Sequence, residues 1–152
     1  MTPLEAPPGT HRRANPVANE DVHAREGVTQ VAYITKTLTI LGGYSPADWS
    51  ASDPSAHPTT LDARGQGRVI YVSGDVDVTL QGLRITGGDA TGLPPGVVPG
   101  RGGGVYVHGA TATISDCMVF SNTASTATGG YGGGLYLEQS EVTLVGNDIS
   151  EN

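Results

Sequence analysis

Four aspartates and three arginines share one stretch of this chain, and these are the side chains of acid–base and cation chemistry. Asp62, Asp75, Asp77 and Asp89 stand among Arg64, Arg68 and Arg84. Asp75 and Asp77 have the same strand parity, so an extended chain puts both carboxylates on one face, about 7 Å apart. Such a pair can hold a calcium ion or divide acid and base roles in glycoside cleavage. The spacing specifies no third ligand. The plainer expectation is therefore a solvated edge beside a glycine turn, with no cofactor and with calcium as the alternative. Calcium-binding solenoid repeats carry Gly-Gly-x-Gly-x-Asp. The runs Gly102-Gly-Gly-Val-Tyr106 and Gly132-Gly-Gly-Leu-Tyr136 lack that aspartate.

The same glycine runs are no phosphate loop, because no Lys-Ser/Thr follows them and no helix pattern starts there. His11, His23, His57 and His108 share no metal-ligand spacing. Ser115 and Ser140 have no nucleophile motif around them. Cys117 is the single cysteine, which excludes an intrachain disulfide, and its place in a strand pattern predicts a small buried side chain.

The elements that position these residues are announced by a repeat. Gly102-Gly-Gly-Val-Tyr-Val-His108, Ala112-Thr-Ile114 and Val119-Phe-Ser-Asn122 recur thirty residues on. The second copy reads Gly132-Gly-Gly-Leu-Tyr-Leu-Glu138, Val142-Thr-Leu144 and Ile149-Ser-Glu-Asn152. A fixed period of this length marks stacked structural units. Earlier strand signals fit the same template: Gln30–Ile34, Lys36–Leu41, Thr59–Ala63, Val69–Val72, Val76–Leu80 and Leu83–Ile85. Stacking at roughly 4.8 Å per layer predicts aliphatic columns. One holds Ile40, Leu80, Ile114 and Leu144, and another Ile85, Val119 and Ile149. Val105 with Leu135 and Val107 with Leu137 line a third face. Asn122 and Asn152 fall at a corner, where their amides can bond the turn and each other. A β-sandwich, the rival architecture, predicts hairpins and no identical residues at one offset.

The template thus predicts an all-β, right-handed parallel β-helix of about four coils. It carries two Pro/Gly-rich loop insertions, at 46–58 and 92–100. Residues 1–26 read as a poorly ordered leader or an incomplete first coil, and 27–152 as the β-helix domain. The last unit, Ile149-Ser-Glu-Asn152, has nothing like a cap, so truncation at the C-terminus is the expectation. Tyr71, Tyr106 and Tyr136 alternate with inward aliphatics and are expected to stack as an exposed ladder. With Trp49, in the proline-rich loop beside Tyr44, they are the candidate ligand-binding residues. For Trp49 the competing expectation is packing against the solenoid.

Charge narrows the partners. The formal net charge is −7, and no lysine or arginine follows Arg101. A nucleic-acid surface needs clustered cations, so that partner is excluded. The longest wholly apolar run, Val69–Val72, is far too short to span a membrane.

The Gly-Gly-Gly-Val/Leu and Val/Ile-x-x-Asn pairs resemble the Gly-Gly-Ala-Ile and Phe-x-x-Asn pairs of polymorphic outer-membrane proteins. They differ at the alanine and at the phenylalanine. Ile34–Tyr44, Pro58–Val69 and Gly82–Ala90 are similar to the entry module of large bacterial surface β-helix proteins. More broadly, residues 27–152 resemble right-handed β-helices of the pectate-lyase-like superfamily. The resemblance implies secretion or display at the cell surface. It implies a non-enzymatic stalk or adhesive surface whose partners are extracellular glycans or a host or neighbouring cell. A polysaccharide lyase or glycoside hydrolase on the same scaffold is the first alternative. End-to-end self-association through open strand edges is the second.

Overall fold

The computed structural model describes Val22–His23 and residues 30–94, 98–127 and 129–152. Strands form where β-branched and apolar residues alternate, and most stop at a glycine, serine or aspartate corner. They are β1 (Val22–His23), β2 (Gln30–Ile34), β3 (Leu38–Leu41), β4 (Thr59–Asp62), β5 (Arg68–Ser73), β6 (Asp77–Gln81) and β7 (Leu83–Thr86). The two clear repeats supply β8 (Val105–His108), β9 (Thr111–Ser115), β10 (Met118–Phe120), β11 (Leu135–Glu138), β12 (Glu141–Val145) and β13 (Asp148–Ser150).

Every strand pairs with its counterpart one unit away, and every pairing is parallel. The first sheet runs β2-β5-β8-β11, the second β3-β6-β9-β12 and the third β1-β4-β7-β10-β13. The chain is thus a three-sided parallel β-solenoid. Four rungs of three strands are stacked, so β2 and β11 are separated by about three turns, close to the coil number expected. Val22–His23 pairs with Leu61–Asp62. The rest of the expected leader lies outside the described residues.

The predicted columns are in register. Ile40 pairs with Leu80, Leu80 with Ile114 and Ile114 with Leu144. Leu61, Ile85, Val119 and Ile149 make the second column. Val72, Val107 and Leu137 follow on the first sheet. Leu80, Ile114, Ile85, Val119, Val72 and Val107 are fully buried. Each such side chain contributes about 1.5–3 kcal/mol of burial, and no single rung could achieve this alone.

Corners repeat as faithfully as strands. Gly82, Asp116 and Gly146 occupy one corner column with φ of 67°, 52° and 64°. A left-handed residue there turns the chain from the second sheet to the third in each of these rungs. At the next corner the Asn122 amide donates to the carbonyls of Ile85 and Phe120, at 3.0 and 2.9 Å. It also donates to Asn152 Oδ1 at 2.9 Å, as the repeat predicts. Asn152 repeats the pattern on Val119 and Ser150.

Three loops leave the solenoid: 42–58 after β3, 87–104 after β7 and 121–134 after β10. The first is closed by an antiparallel bridge between Tyr44 and Ser52.

Candidate functional site

The outer face of the first sheet carries the densest chemistry. Tyr33, Tyr71, Tyr106 and Tyr136 are register partners on β2, β5, β8 and β11. Tyr33 and Tyr71 stack with centroids 5.0 Å apart and planes 9° from parallel. Tyr71 and Tyr106 stack at 5.0 Å and 14°. Tyr106 meets Tyr136 at 5.4 Å, tilted 58°, and Tyr136 meets Tyr131 at 6.4 Å.

The ladder is therefore real, but its middle is not exposed as the alternation had suggested. Tyr71 and Tyr106 retain 7% and 1% of their surface. The cause is Arg68. Its guanidinium carbon lies 5.2 Å from the Tyr71 centroid and 4.9 Å from that of Tyr106. Its nitrogens donate to the carbonyls of Val98, Arg101 and Gly102 at 2.7–3.2 Å. A fully buried arginine thus pins loop 87–104 beside the rings. Burial pushes its pKa down to about 10, which leaves it charged at neutral pH.

Further along the face a second arginine is paired. Arg101 Nη1 donates to both Glu138 carboxylate oxygens, at 3.0 and 3.2 Å. The Arg101 guanidinium lies 5.3 Å from the Tyr136 centroid. The Tyr106 hydroxyl donates to Glu138 Oε2. That bond, with the charges of Arg101 and His108, holds the Glu138 carboxyl below the usual range. Burial, then the bond and charge of Glu138, pushes the Tyr106 phenol up to about 12.

What stays open to solvent lies at the two ends of this face. Tyr33 is 57% exposed and Tyr131 59% exposed, while Tyr136 is half-buried. Backbone hydrogen bonds place Tyr131 beside Arg101, from Tyr131 N to the Gly100 carbonyl at 2.8 Å and from Gly102 N to the Tyr131 carbonyl at 3.0 Å. The accessible cluster is thus Tyr131, Tyr136, Arg101 and Glu138. His108 and Glu138 hold the same place in the two copies of the repeat, where the residue type changes. Arg101 and Tyr131 also lie one repeat apart, just ahead of the two glycine runs, and that offset was the available signal for them.

Trp49 stacks on Tyr44 at 6.0 Å and 18° within loop 42–58, and is half-buried. The aspartates are not gathered. Asp62 Oδ1 accepts from Arg64 N at 2.8 Å, and Asp89 Oδ1 from Thr91 N at 2.8 Å, so both close local turns. Asp75 and Asp77 are exposed, and Asp77 belongs to the second sheet whereas Asp62 belongs to the third. Arg84 lines a small cavity of about 150 Å³ with Asp116, Met118 and Pro54. Among the described residues no three His, Cys, Asp or Glu side chains group to hold a metal ion. No helix among them is long and apolar enough to cross a membrane. Cys117 is buried as expected, although it lies in the corner between β9 and β10 and not in a strand.

Comparison with protein-family models, with curated proteins and with solved structures returned no match.

Proposed function

We propose that this chain is a non-enzymatic segment of a secreted or surface-displayed β-helix protein of the pectate-lyase-like kind. It acts as a rigid spacer that presents a glycan-binding surface. The observation that carries the reading is the accessible cluster on the first sheet. Tyr131 offers an open aromatic face, and Arg101 and Glu138 offer donors and acceptors beside it. A sugar ring needs both, a flat apolar partner and a few fixed polar groups. Buried columns along the solenoid supply the stiffness that a spacer requires.

The test is binding to a panel of immobilised polysaccharides. At least one is expected to retain the protein, and Tyr131→Ala is expected to weaken that binding about tenfold or more, which is about 1.4 kcal/mol. Tyr131 is exposed, so the variant should melt like the parent. Retention by no polysaccharide, or unchanged binding by Tyr131→Ala, sinks the reading.

The carbohydrate-active alternative draws no support from the aspartates, which serve separate turns and faces. Self-association has one observation in its favour: Leu137, Leu144 and Ile149 of the fourth rung are 41%, 43% and 44% exposed along its edge. Light scattering that finds a single monomer mass across a concentration series removes it.

A further inference from the structure

We infer that the Tyr131–Arg101–Glu138 surface selects uncharged pyranose glycans and excludes anionic ones. The inference rests on the glycan-binding reading and assigns its ligand class.

Arg101 is the last cation of the chain. It would be the natural partner for a uronate, sulfate or phosphate group, but its charge is already answered. Nη1 is held by both oxygens of Glu138, and Tyr136 lies under the guanidinium. An anionic group on the remaining N–H donors would stand beside the Glu138 carboxylate, which stays in place on Nη1 and on the Tyr106 hydroxyl.

The carboxylate beside Arg101 points the same way. Of the acidic residues of 129–152, Glu138 is on the first sheet, whereas Glu141 and Asp148 belong to the second and third. On the neighbouring strand His108 is the register partner of Glu138. Like charges within a Debye length of about 8 Å repel an approaching anion at physiological salt. A neutral pyranose meets none of this. It can lie on Tyr131 and take hydrogen bonds from the guanidinium, which has five N–H donors, of which Glu138 engages only those on Nη1.

The deciding experiment compares the parent chain, Tyr131→Ala and Glu138→Gln at physiological ionic strength. The probes are uncharged polysaccharides (β-glucan, mannan, chitin oligomers) and anionic ones (polygalacturonate, alginate, heparin). The expected result is retention of the parent by an uncharged probe and by none of the anionic ones. Tyr131→Ala loses that retention. Glu138→Gln leaves Arg101 unpaired and gains salt-sensitive retention on an anionic probe. Binding of the parent to an anionic probe as tight as to any uncharged one, and lost in Tyr131→Ala, overturns the selectivity but keeps the glycan reading. Failure of Glu138→Gln to gain anionic binding also counts against the selectivity. Absence of binding to every probe overturns both.

Discussion

Arg68 is fully buried, so carbonyls and rings must replace its solvation. Those of Val98, Arg101 and Gly102 accept its N–H groups, and the faces of Tyr71 and Tyr106 lie against it. Arg68→Leu is expected to cost about 3 kcal/mol in urea unfolding, because three carbonyls lose a charged donor. Arg68→Lys should recover only part of this, since an ammonium is a point charge that cannot fork to separated acceptors or stack on the rings. A leucine variant as stable as the parent would show that the loop is held by something else. This role was not legible in the sequence, where Arg68 stood as a candidate base among aspartates. Its partners are the backbone carbonyls of Val98, Arg101 and Gly102, and a repeat of side-chain types does not mark which carbonyls accept. The order of the tyrosine ladder was legible, because register is periodic. Its burial was not, because one buried cation and the loop that it pins decide it.

At the scale of the element, the corners carry as much information as the strands. The column that holds Leu83, Cys117 and Asn147 shows how a rung is capped. Asn147 Oδ1 accepts from Cys117 N at 2.9 Å, and its amide donates to the Ile114 carbonyl at 2.7 Å. Cys117 occupies the same place one rung earlier and performs the task poorly. Its sulfur lies 3.7 Å from the Leu80 carbonyl, the equivalent of Ile114. A thiol is a weak donor and a weak acceptor. Cys117→Asn should therefore complete the ladder on the second rung, bonding the Leu80 carbonyl and the Leu83 N–H. The expected gain is about 1 kcal/mol, read as a higher urea midpoint at unchanged slope. A lower midpoint would mean that the corner has no room for the amide. The same repeat that revealed Asn122 and Asn152 revealed this column only in part, because cysteine and leucine interrupt it.

Over the whole molecule, stability runs along one axis. Each rung contacts only its neighbours, so the fourth rung, packed here on the third alone, is expected to open before the inner second rung. Side chains tie it to the third rung, and the most pH-sensitive tie is Glu138 with Tyr106 and Arg101. Glu138 has a lowered pKa in the fold. Its contribution is complete above the unfolded value of about 4.3 and is lost as the pH falls through the lower folded value. Tyr106 is raised to about 12. Its contribution is complete below the unfolded value of about 10 and disappears as the pH rises from there through the folded value. The expected profile is a plateau across neutral pH that falls on both sides. Amide exchange and limited proteolysis should show residues 135–152 opening before residues 68–86 on either flank. Glu138→Gln should flatten part of the acid limb, and Tyr106→Phe part of the alkaline one. If the second and fourth rungs lose protection together at both extremes, the ion pair is not what holds the last rung, and the solenoid opens as one unit.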